Sequence, residues 1–377
     1  MIGRASHGYP VAIHHGASGG SGCALPRWAG LKSLMALVAA AMGVSLAVML
    51  AGVTSLNAAP PGPASQNLPA PATHPVSPED SLKYLQTDNE LQVELAAHEP
   101  QVVDPVAIRF DERGRMWVVE MGDYPHGPAA GEQPKSRIRI LEDRDGDGRY
   151  ERDVVFADQL LFATGVQPWR QGAFVTLAGA VVYFADRDGD GRSDERETWY
   201  TGFTQENSQL RANHPRLGRD GWIYVANGLR GGTIVDPRKP ERAEVSISGR
   251  DFRFHPHTGV FEAVSGVGQF GLAFDDYGQR FVCSNRNPLQ HIVIEDEYLR
   301  RNPQVAIPAV VHDVARFGEE SALFALTRAW TTSNLHAGQF TAACGVKIFT
   351  GDRLPNAYRG NGFTCDPTAN VVHRESV

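Results

Sequence analysis

The chain has 377 residues, of which 42% are hydrophobic, and this is enough for one large or two ordinary globular domains. Its 36 basic and 43 acidic residues give a net charge of −7, and no basic stripe with interleaved aromatic residues occurs. These properties exclude a disordered chain and give no nucleic-acid-binding surface.

An uncharged apolar segment follows the N-terminal leader. Residues 34–56 contain no charge, and Arg27 and Lys32 precede them with no acidic residue upstream. The run exceeds the ~7–15 residues of a usual signal-peptide core and reaches the ~20 residues of a membrane-spanning helix. It is predicted to be either a cleaved signal peptide or a transmembrane anchor. In both cases the chain after about Ala59 is expected on the extracytoplasmic side, periplasmic or at the cell surface.

The next segment is rich in Pro, Ala and Ser, which is typical of an extended linker. Ser77 and Pro78 then form a helix-start signal, with Ser as N-cap and Pro at the first helical position, which predicts a short helix to about Leu85. The predicted regions are a leader at 1–33, the signal peptide or anchor at 34–56, the linker at 57–77 and a folded domain at 78–377.

From Leu91 onward, short β-type runs alternate with Gly, Pro and Asp, and helical periodicity is limited to about 296–301 and 318–326. The runs are LQVELAA, VAIRF, RMWVVEM, RIRIL, AFVTL, VVYFA, WIYVAN, FRFH, GLAFDD, RFVCS and HIVIE. An apolar strand, an Asp-Gly turn and an aromatic strand recur in AIRFDERGRMWVVE, LGRDGWIYVAN and LAFDDYGQRFVCS, with a weaker copy in WRQGAFVTL. Self-similarity at ~40–60 residues with four strands per unit predicts an all-β fold, a β-propeller. A β-sandwich with fortuitous hairpins is the alternative.

The heptapeptide DRDGDGR occurs twice, at 143–149 and at 186–192, and both copies fit D-x-D-x-D-G-x-x-[DE]. Ca²⁺ prefers six to eight oxygen ligands, and alternate carboxylates in a tight Gly-containing loop aim several of them at one point. The predicted metal ligands are Asp143, Asp145, Asp147 and Glu151 in the first copy and Asp186, Asp188, Asp190 and Asp194 in the second.

The sequences that flank both copies favour loops between strands, as in calcium-binding propeller blades. An EF-hand fits only the second copy, which has Glu197 at position twelve. Solvated Asp-Gly turns without metal are the other alternative.

Three cysteines lie in the predicted folded domain. In an oxidising compartment Cys344 and Cys365 are candidates for a disulfide, and separate thiols are the alternative. Cys283, flanked by Phe281, Val282 and Asn285, is predicted to be a small buried residue.

Four longer runs carry a resemblance to a known family. They are DPVAIRFDERGRMWVVEMGDYP, NSQLRANHPRLGRDGWIYVANGLRGG, GRDFRFHPHTGVFEAVSGVGQFGLAFDDYGQRFVCSNRNPLQH and HAGQFTAACGVKIFTGDRLPNAYRGNGFTCDPTANVVHR. From about Pro78 to the last residue, the chain resembles the N-terminal propeller of the PVC-type membrane-bound dehydrogenases. That family is similar, more distantly, to the sugar and sorbosone dehydrogenases that hold pyrroloquinoline quinone (PQQ) on a six-bladed propeller.

The resemblance implies six or seven blades in the full length, a quinone cofactor, and a following haem-binding C-x-x-C-H domain. The sequence ends at Val377 and contains no C-x-x-C-H. The resemblance therefore implies a fragment truncated at its C-terminus, no haem in this chain, and a C-terminal or separate cytochrome c domain as partner.

The quinone site of the sugar dehydrogenases does not transfer residue by residue. Near Leu210, the place of their histidine base, the nearest histidine is His214, and Arg286-Asn287-Pro288 follows a GLAFD-type strand that the family's Arg-Asn-Pro precedes. Histidine can act as the base for hydride removal from an alcohol, and arginine can bind an acidic cofactor or a sugar acid. The candidate residues for one site are Asn213, His214, Arg286, Asn287, His291 and His336, and the alternative is that each only anchors its loop.

Three functions are compatible with these observations. The first is an exported oxidoreductase propeller that oxidises a sugar or polyol with quinone and Ca²⁺ and passes electrons to a haem outside this chain. The second is a non-catalytic, calcium-stabilised propeller that binds glycans or proteins. The third is a lactonase-type hydrolase with one Ca²⁺ in the central channel, which the local acidic loops favour less.

Overall fold

The computed structural model describes residues 75–315, 321–324 and 338–377. In these ranges nearly all regular structure is β, and the strands form five antiparallel sheets that follow one another along the chain. Each sheet is one blade, and the first strands of successive blades contact each other around an axis. The predicted β-propeller is confirmed, here with five blades, and the β-sandwich alternative is wrong.

The first two blades have four consecutive strands each. Blade 1 consists of β1 (Pro105–Phe110), β2 (Met116–Glu120), β3 (Ser136–Glu142) and β4 (Arg152–Leu160). Blade 2 consists of β5 (Gly165–Trp169), β6 (Gly172–Leu177), β7 (Ala180–Ala185) and β8 (Glu195–Phe203). In both blades each strand pairs with the next one in the chain.

Blade 3 carries an insertion. Its strands are β9 (Asn213–Leu217), β10 (Ile223–Ala226), β13 (Asp251–Phe254) and β14 (Phe261–Val264), and the hairpin β11 (Gly232–Val235) and β12 (Val245–Ser246) lies between β10 and β13. The hairpin leaves its own blade, because β11 pairs with β8 of blade 2. The insertion therefore ties blades 2 and 3 together by backbone hydrogen bonds.

Blades 4 and 5 complete the described part of the ring. Blade 4 consists of β15 (Leu272–Phe274), β16 (Arg280–Ser284), β17 (Asn287–Ile292) and β18 (Val311–Asp313). Blade 5 consists of β19 (Cys344–Ile348), β20 (Gly362–Asp366) and β21 (Val371–Glu375). A 3-10 turn, Asn356–Tyr358, lies between β19 and β20.

The repeated Asp-Gly turn joins the first strand of a blade to the second. In blade 1, Asp111 Oδ1 accepts the backbone N–H groups of Arg113 and Arg115 at 2.9 and 3.0 Å, and Gly114 has φ +76°. In blade 4, Asp275 Oδ1 likewise accepts two backbone N–H groups of its turn, and Gly278 has φ +84°. Because the turn is built from local contacts, its sequence recurs wherever the blade recurs.

The hydrophobic core is divided into clusters that lie between successive blades. Trp117 and Phe156 of blade 1 pack with Val166 and Val175 of blade 2. The next cluster joins blades 2 and 3 through a buried aromatic group that includes Phe174, Tyr200, Phe252 and Phe254. Smaller clusters join blades 3 and 4 and blades 4 and 5. The ring is thus held by blade-to-blade burial of apolar surface.

The two predicted helices within the described residues are both present. Helix α1 (Pro78–Ser81) begins at the Ser77 cap, whose Oγ accepts the backbone N–H of Asp80 at 3.1 Å, and continues into a 3-10 turn, Leu82–Tyr84. Helix α2 is Asp296–Arg301. The compact unit that contains the propeller begins at Ser77.

One predicted strand is wrong. The run LQVELAA, residues 91–97, has no strand pairing. Ala97 packs against Val118 and Leu141 of blade 1, and the carbonyl of Ala96 accepts a single backbone hydrogen bond from Tyr150 at 3.1 Å. The alternating pattern thus reflects an extended segment that buries one side against a finished blade.

Several predictions fall outside the described residues. They are the leader, the signal peptide or anchor at 34–56, nearly all of the linker, most of the predicted helix at 318–326, and His336. Among the residues that the structure describes, no helix is long and apolar enough to cross a membrane.

Candidate functional site

Three basic residues lie on the inner strands of alternate blades. Arg109 is on β1, Arg216 on β9 and Lys347 on β19. Arg216 and Arg109 both act electrostatically on Lys347, and Arg216 acts on Arg109, so the three charges are near enough to influence one another. We call Arg109, Arg216 and Lys347 the axial cation cluster.

No carboxylate neutralises this cluster within 75–315, 321–324 and 338–377. Arg109 Nη1 donates to the carbonyl of Ile108 at 2.8 Å, but Nε and Nη2 of Arg109 are buried without a partner. Arg216 and Lys347 make no side-chain hydrogen bond and no ion pair in the same ranges. Buried charges and donors in proteins are normally paired. The cluster is therefore equipped to bind an anion that the described part of the chain does not supply.

A buried arginine elsewhere in the same fold shows the usual arrangement. The fully buried Arg280 lies 3.2 Å from Asp251 and 3.0 Å from Glu295, and it also donates to the carbonyl of Ser265. Its charge is thus balanced by two carboxylates. The axial cation cluster differs from this structural arginine in having no such balance.

The pKa values of the axial groups all move in the direction expected for unneutralised positive charge. Burial, and then repulsion from Arg216, lowers the pKa of Arg109, and burial lowers the pKa of Arg216 to about 10. Burial, and then Arg216 and Arg109, lowers the pKa of Lys347 to about 7. The side chain of Lys347 is nevertheless exposed on the inner strand, so solvent weakens the effect of burial on its pKa. Guanidinium groups keep their protons, so the arginines stay charged, whereas Lys347 is easily deprotonated.

His214 lies on β9 at an irregularity of the strand pairing, two residues before Arg216, and the charges of Arg109 and Arg216 both act on it. It is 4% exposed, contacts the edge of Phe270 at 4.8 Å between ring centroids, and has φ +48°. Burial, and then the charges of Arg109 and Arg216, lowers its pKa well below the ordinary value. The imidazole is therefore neutral at pH 7.

The neighbouring amide fixes the tautomer of this imidazole. Asn213 Nδ2 donates to the carbonyls of Arg211 at 2.8 Å and Gln269 at 2.7 Å, which turns its Oδ1 toward the backbone N–H of Gly271 at 3.1 Å. The same Oδ1 lies 3.0 Å from His214 Nδ1. Since this oxygen only accepts, Nδ1 carries the proton and Nε2 keeps its lone pair. His214 thus offers an unprotonated ring nitrogen, Nε2.

The other predicted site residues are only partly brought together with His214. Gln269 connects the Arg286 turn to Asn213, since its Oε1 accepts from the backbone N–H of Asn285 at 2.9 Å and its carbonyl accepts from Asn213. Arg286 Nη2 donates to Gln339 Oε1 at 2.8 Å. Asn287 Oδ1 accepts from Ser284 Oγ at 3.2 Å within the same turn.

His291 occupies a different place. It lies on β17, the third strand of blade 4, stacks on Phe281 at 4.7 Å, and is paired in register with His312 on β18. Burial lowers its pKa. The structure therefore separates His291 from the axis by the two inner strands of its blade.

The sequence reasoning missed the axial cation cluster. Each member is the one Arg or Lys of its strand, in the segments VAIRF, NHPRL and CGVKI. A basic residue inside the first strand of three repeats is the signal that could have identified them. Such residues form one site only because the propeller brings first strands that are distant in sequence together around its axis.

Both acidic loops join the third and fourth strands of their blades and have nearly the same conformation. Asp143 accepts the backbone N–H groups of Gly146 and Gly148 at 2.7 and 2.9 Å, and Asp186 accepts those of Gly189 and Gly191 at 2.7 and 3.0 Å. Strands flank both loops, so the EF-hand alternative is wrong. The heptapeptide recurs at the same position of consecutive blades.

The loops bring most of the predicted metal ligands together. One oxygen from each of Asp143, Asp145, Asp147 and Glu151 lies within 4.8 Å of the others. In the second loop, Asp186, Asp188 and Asp194 form such a group, and Asp190 lies outside it. Oxygen ligands at this spacing suit Ca²⁺.

Within residues 75–315, 321–324 and 338–377, the three cysteines are free thiols. Cys344 on β19 and Cys365 on β20 are direct cross-strand partners. Cys283 is fully buried in the cluster between blades 4 and 5, as predicted. Burial raises the pKa of Cys283 and that of Cys344 to about 12, which makes both thiols poor nucleophiles.

Residues 77–377 match the family described as "Domain of unknown function (DUF7133)". The chain belongs to this family. No curated protein matches the chain.

Several solved structures are similar to the chain. A luciferin-regenerating enzyme is 8% identical with a TM-score of 0.43, and the alignment covers 73% of each chain. A glucose dehydrogenase is 13% identical with a TM-score of 0.42, over 74% of this chain and 83% of that one. The PQQ-bound form of aldose sugar dehydrogenase from Streptomyces coelicolor is 14% identical with a TM-score of 0.35, over 73% and 81%. At these identities and TM-scores, the similarity to sugar dehydrogenases assigns no residue of this chain a role.

Proposed function

We propose that this propeller is an exported oxidoreductase that holds an acidic quinone of the PQQ class at the axial cation cluster and oxidises a sugar or polyol. The observation that carries the proposal is the axial cation cluster without counter-ions, two of whose guanidinium nitrogens are buried and unpaired. PQQ carries three carboxyl groups, and charge-assisted hydrogen bonds to carboxylates are what such nitrogens lack. The residues present fit the cofactor.

Each side chain has a definite part in this proposal. Arg109 and Arg216 would hold carboxylates of the quinone, and Lys347 adds positive charge to the same channel. The quinone, when bound, would accept a hydride from an alcohol carbon. His214 Nε2 would take the proton of that alcohol, because Asn213 holds the ring proton on Nδ1 and leaves Nε2 with its lone pair.

The cellular location and the electron acceptor of the reaction are proposed from the sequence. The leader and the segment 34–56 support export, with membrane attachment if the segment is retained. The electrons would pass to a haem protein or domain outside this chain, since no C-x-x-C-H occurs in it. These assignments belong to the proposal and are tested separately from the chemistry.

We assign the two acidic loops to structural Ca²⁺. Each lies at the same blade position and brings three or four carboxylates within 4.8 Å. Without a cation the carboxylates repel each other, so Ca²⁺ would rigidify the turns between the third and fourth strands.

A glycan-binding module is the second candidate. A cavity of about 650 Å³ lies between blades 2 and 3, next to the second acidic loop. Trp169, Tyr183 and Trp199 line it together with Arg187 and Glu195. Aromatic faces flanked by charged hydrogen-bonding groups suit a saccharide. This candidate predicts calcium-dependent binding on a glycan array by a protein that binds no quinone.

The lactonase-type hydrolase fits the structure less well than the oxidoreductase or the glycan-binding module does. It needs a Ca²⁺ ion on the axis, and the axial cation cluster opposes a divalent cation there. The carboxylates that suit Ca²⁺ lie in the blade loops instead.

The activity test uses His214→Asn. Asparagine tolerates the positive φ of position 214 and cannot act as a base at neutral pH. We expect the variant to retain quinone binding and to lose about 10²–10⁴-fold in the rate of dye reduction with a panel of sugars and polyols, in the presence of Ca²⁺. His312→Asn, at an exposed strand position, is the matched control and should keep the parent rate. Equal rates of the parent and His214→Asn would remove the base assignment, and no dye reduction with any substrate would count against the oxidoreductase.

A further inference from the structure

Two cysteines lie opposite each other on the first two strands of blade 5. Cys344 is the first residue of β19, and its direct Cα partner in the antiparallel pair is Cys365 of β20. Partners in such a register have Cα atoms about 4.5–5.5 Å apart and side chains on the same face of the sheet. A disulfide needs about 4.4–6.8 Å between its Cα atoms. The strand register therefore places the two cysteines within the range that a disulfide spans.

Both cysteines belong to the face of blade 5 that points away from blade 4. Thr364 and Asp366, the two neighbours of Cys365 in β20, are buried. Thr364 Oγ1 donates to the carbonyl of Pro288 in blade 4 at 2.7 Å, so this side of β20 faces blade 4. Because side chains alternate along a strand, Cys365 points to the other side, where it is exposed. A dissolved oxidant can therefore reach its thiol.

Hydrogen bonds hold the backbone on both sides of the pair. The residue after the first cysteine, Gly345, donates its backbone N–H to the carbonyl of Phe270 at 2.7 Å. The residue after the second cysteine, Asp366, accepts through Oδ2 the backbone N–H of Ala342 at 3.0 Å, in the segment that leads into β19. The two strand ends are thus held next to each other before any bond forms between the thiols.

We propose that Cys344 and Cys365 form a disulfide that joins the inner strand of blade 5 to its neighbour. The free thiols of the structure are then the reduced form of this pair. Blade 5 has three strands among the described residues, whereas every other blade has at least four, so fewer backbone hydrogen bonds hold it together. The covalent bond would strengthen this blade and hold the strand that carries Lys347. The proposal goes beyond the oxidoreductase function and does not depend on quinone binding.

The oxidant for this step is another disulfide, such as oxidised glutathione or the disulfide of a thiol oxidase in an oxidising compartment. The thiolate of the exposed Cys365 attacks this disulfide, forms a mixed disulfide and releases one thiol. Cys344 then loses its proton and attacks the sulfur of Cys365, which releases the second thiol. Two protein thiols are oxidised, one disulfide is reduced to two thiols, and the two cysteine protons end on the released thiols.

Cys283 is expected to stay a thiol under the same conditions. It is fully buried in the cluster between blades 4 and 5, and its Sγ donates to the carbonyl of Phe270 at 3.2 Å. A thiol without solvent access does not meet a dissolved oxidant. Cys283 therefore serves as the internal control for the exposed pair.

The test is disulfide mapping of the full-length protein after equilibration with an excess of oxidised glutathione. Accessible thiols are blocked with iodoacetamide in the folded state, and the protein is then unfolded, digested without reductant and analysed by mass spectrometry. We expect a peptide pair linked through Cys344 and Cys365 as the main species, with Cys283 unmodified until the protein unfolds. Alkylation of Cys344 and Cys365 in the folded protein, stable glutathione adducts on them, or mostly other pairings would overturn the inference.

Thermal unfolding with and without dithiothreitol gives a second readout. Reduction should lower the Tm of the oxidised parent by about 4–10 °C. The double variant Cys344→Ala and Cys365→Ala should show no effect of dithiothreitol, whereas the matched control Cys283→Ala should keep it. An unchanged Tm of the parent, or an equal effect in the double variant, would contradict a stabilising bond. The mapping uses only the parent protein, so it decides the pairing even where a variant does not fold. PQQ binding is measured separately, so failure here leaves the oxidoreductase proposal standing.

Discussion

The substitution Arg109→Met separates a binding residue from a structural one, because the two roles predict opposite effects on stability. In the structure, Nε and Nη2 of Arg109 are buried without partners, and Nη1 makes one hydrogen bond, to the carbonyl of Ile108. An unsatisfied buried donor costs about 1–3 kcal/mol, and the lost hydrogen bond contributes about 1 kcal/mol. Methionine keeps most of the apolar stem and removes the charge. We therefore expect a net gain of about 1–2 kcal/mol in the free energy of unfolding.

This gain corresponds to a rise in Tm of about 2–6 °C for a domain of this size. Differential scanning calorimetry in a low-salt buffer without phosphate, sulfate or citrate measures it. The same variant should bind PQQ about 10–100-fold more weakly, since a charge-assisted hydrogen bond contributes about 1.5–3 kcal/mol. Arg113→Met, in the exposed turn of the same blade, should change neither quantity. A lower Tm with unchanged affinity would refute the reasoning and make Arg109 a structural cation.

Two further predictions concern charge. The double variant Asp145→Asn and Asp188→Asn keeps the acceptors for the backbone N–H groups of Asp147 and Asp190 but removes one charge from each loop, so its Tm should fall below that of the parent only in millimolar Ca²⁺. Equal melting of both proteins in Ca²⁺ would contradict the metal assignment. Lys347→Met should raise Tm at pH 6, and the gain should disappear toward pH 10, because the unfavourable charge is fully present below the folded pKa of about 7 and is lost as the pH approaches the unfolded value. A gain that does not vary with pH would show that packing, and not charge, is responsible.

The blade repeat was predictable because its signals are local. An Asp-Gly turn such as Asp111–Gly114 is closed by hydrogen bonds within five residues, so its sequence reports its geometry. The acidic loops were predictable for the same reason. The outer strands were harder: β8 reads ERETWYTGF and exposes its first three residues, which leaves little alternation to detect.

The axial cation cluster was not predictable from the patterns considered. Arg109 and Lys347 are far apart in sequence, and they approach each other only because the first strands of five blades surround one axis. Local patterns also cannot distinguish a strand from an extended segment packed on a blade, which is why LQVELAA was misassigned. His214 was found as a candidate, but its neutral state and its tautomer depend on Arg109, Arg216 and Asn213 in three dimensions.

The measurement that tests the central claim most directly is an equilibrium titration of PQQ into the full-length protein, the double variant Arg109→Gln and Arg216→Gln, and the control Arg113→Gln, with Ca²⁺ present. The account predicts saturable binding with a Kd of about 1 μM for the parent and the control, and at least 100-fold weaker binding for the double variant. Absence of saturable binding by the folded parent, or equal affinity of all three proteins, would contradict the axial site.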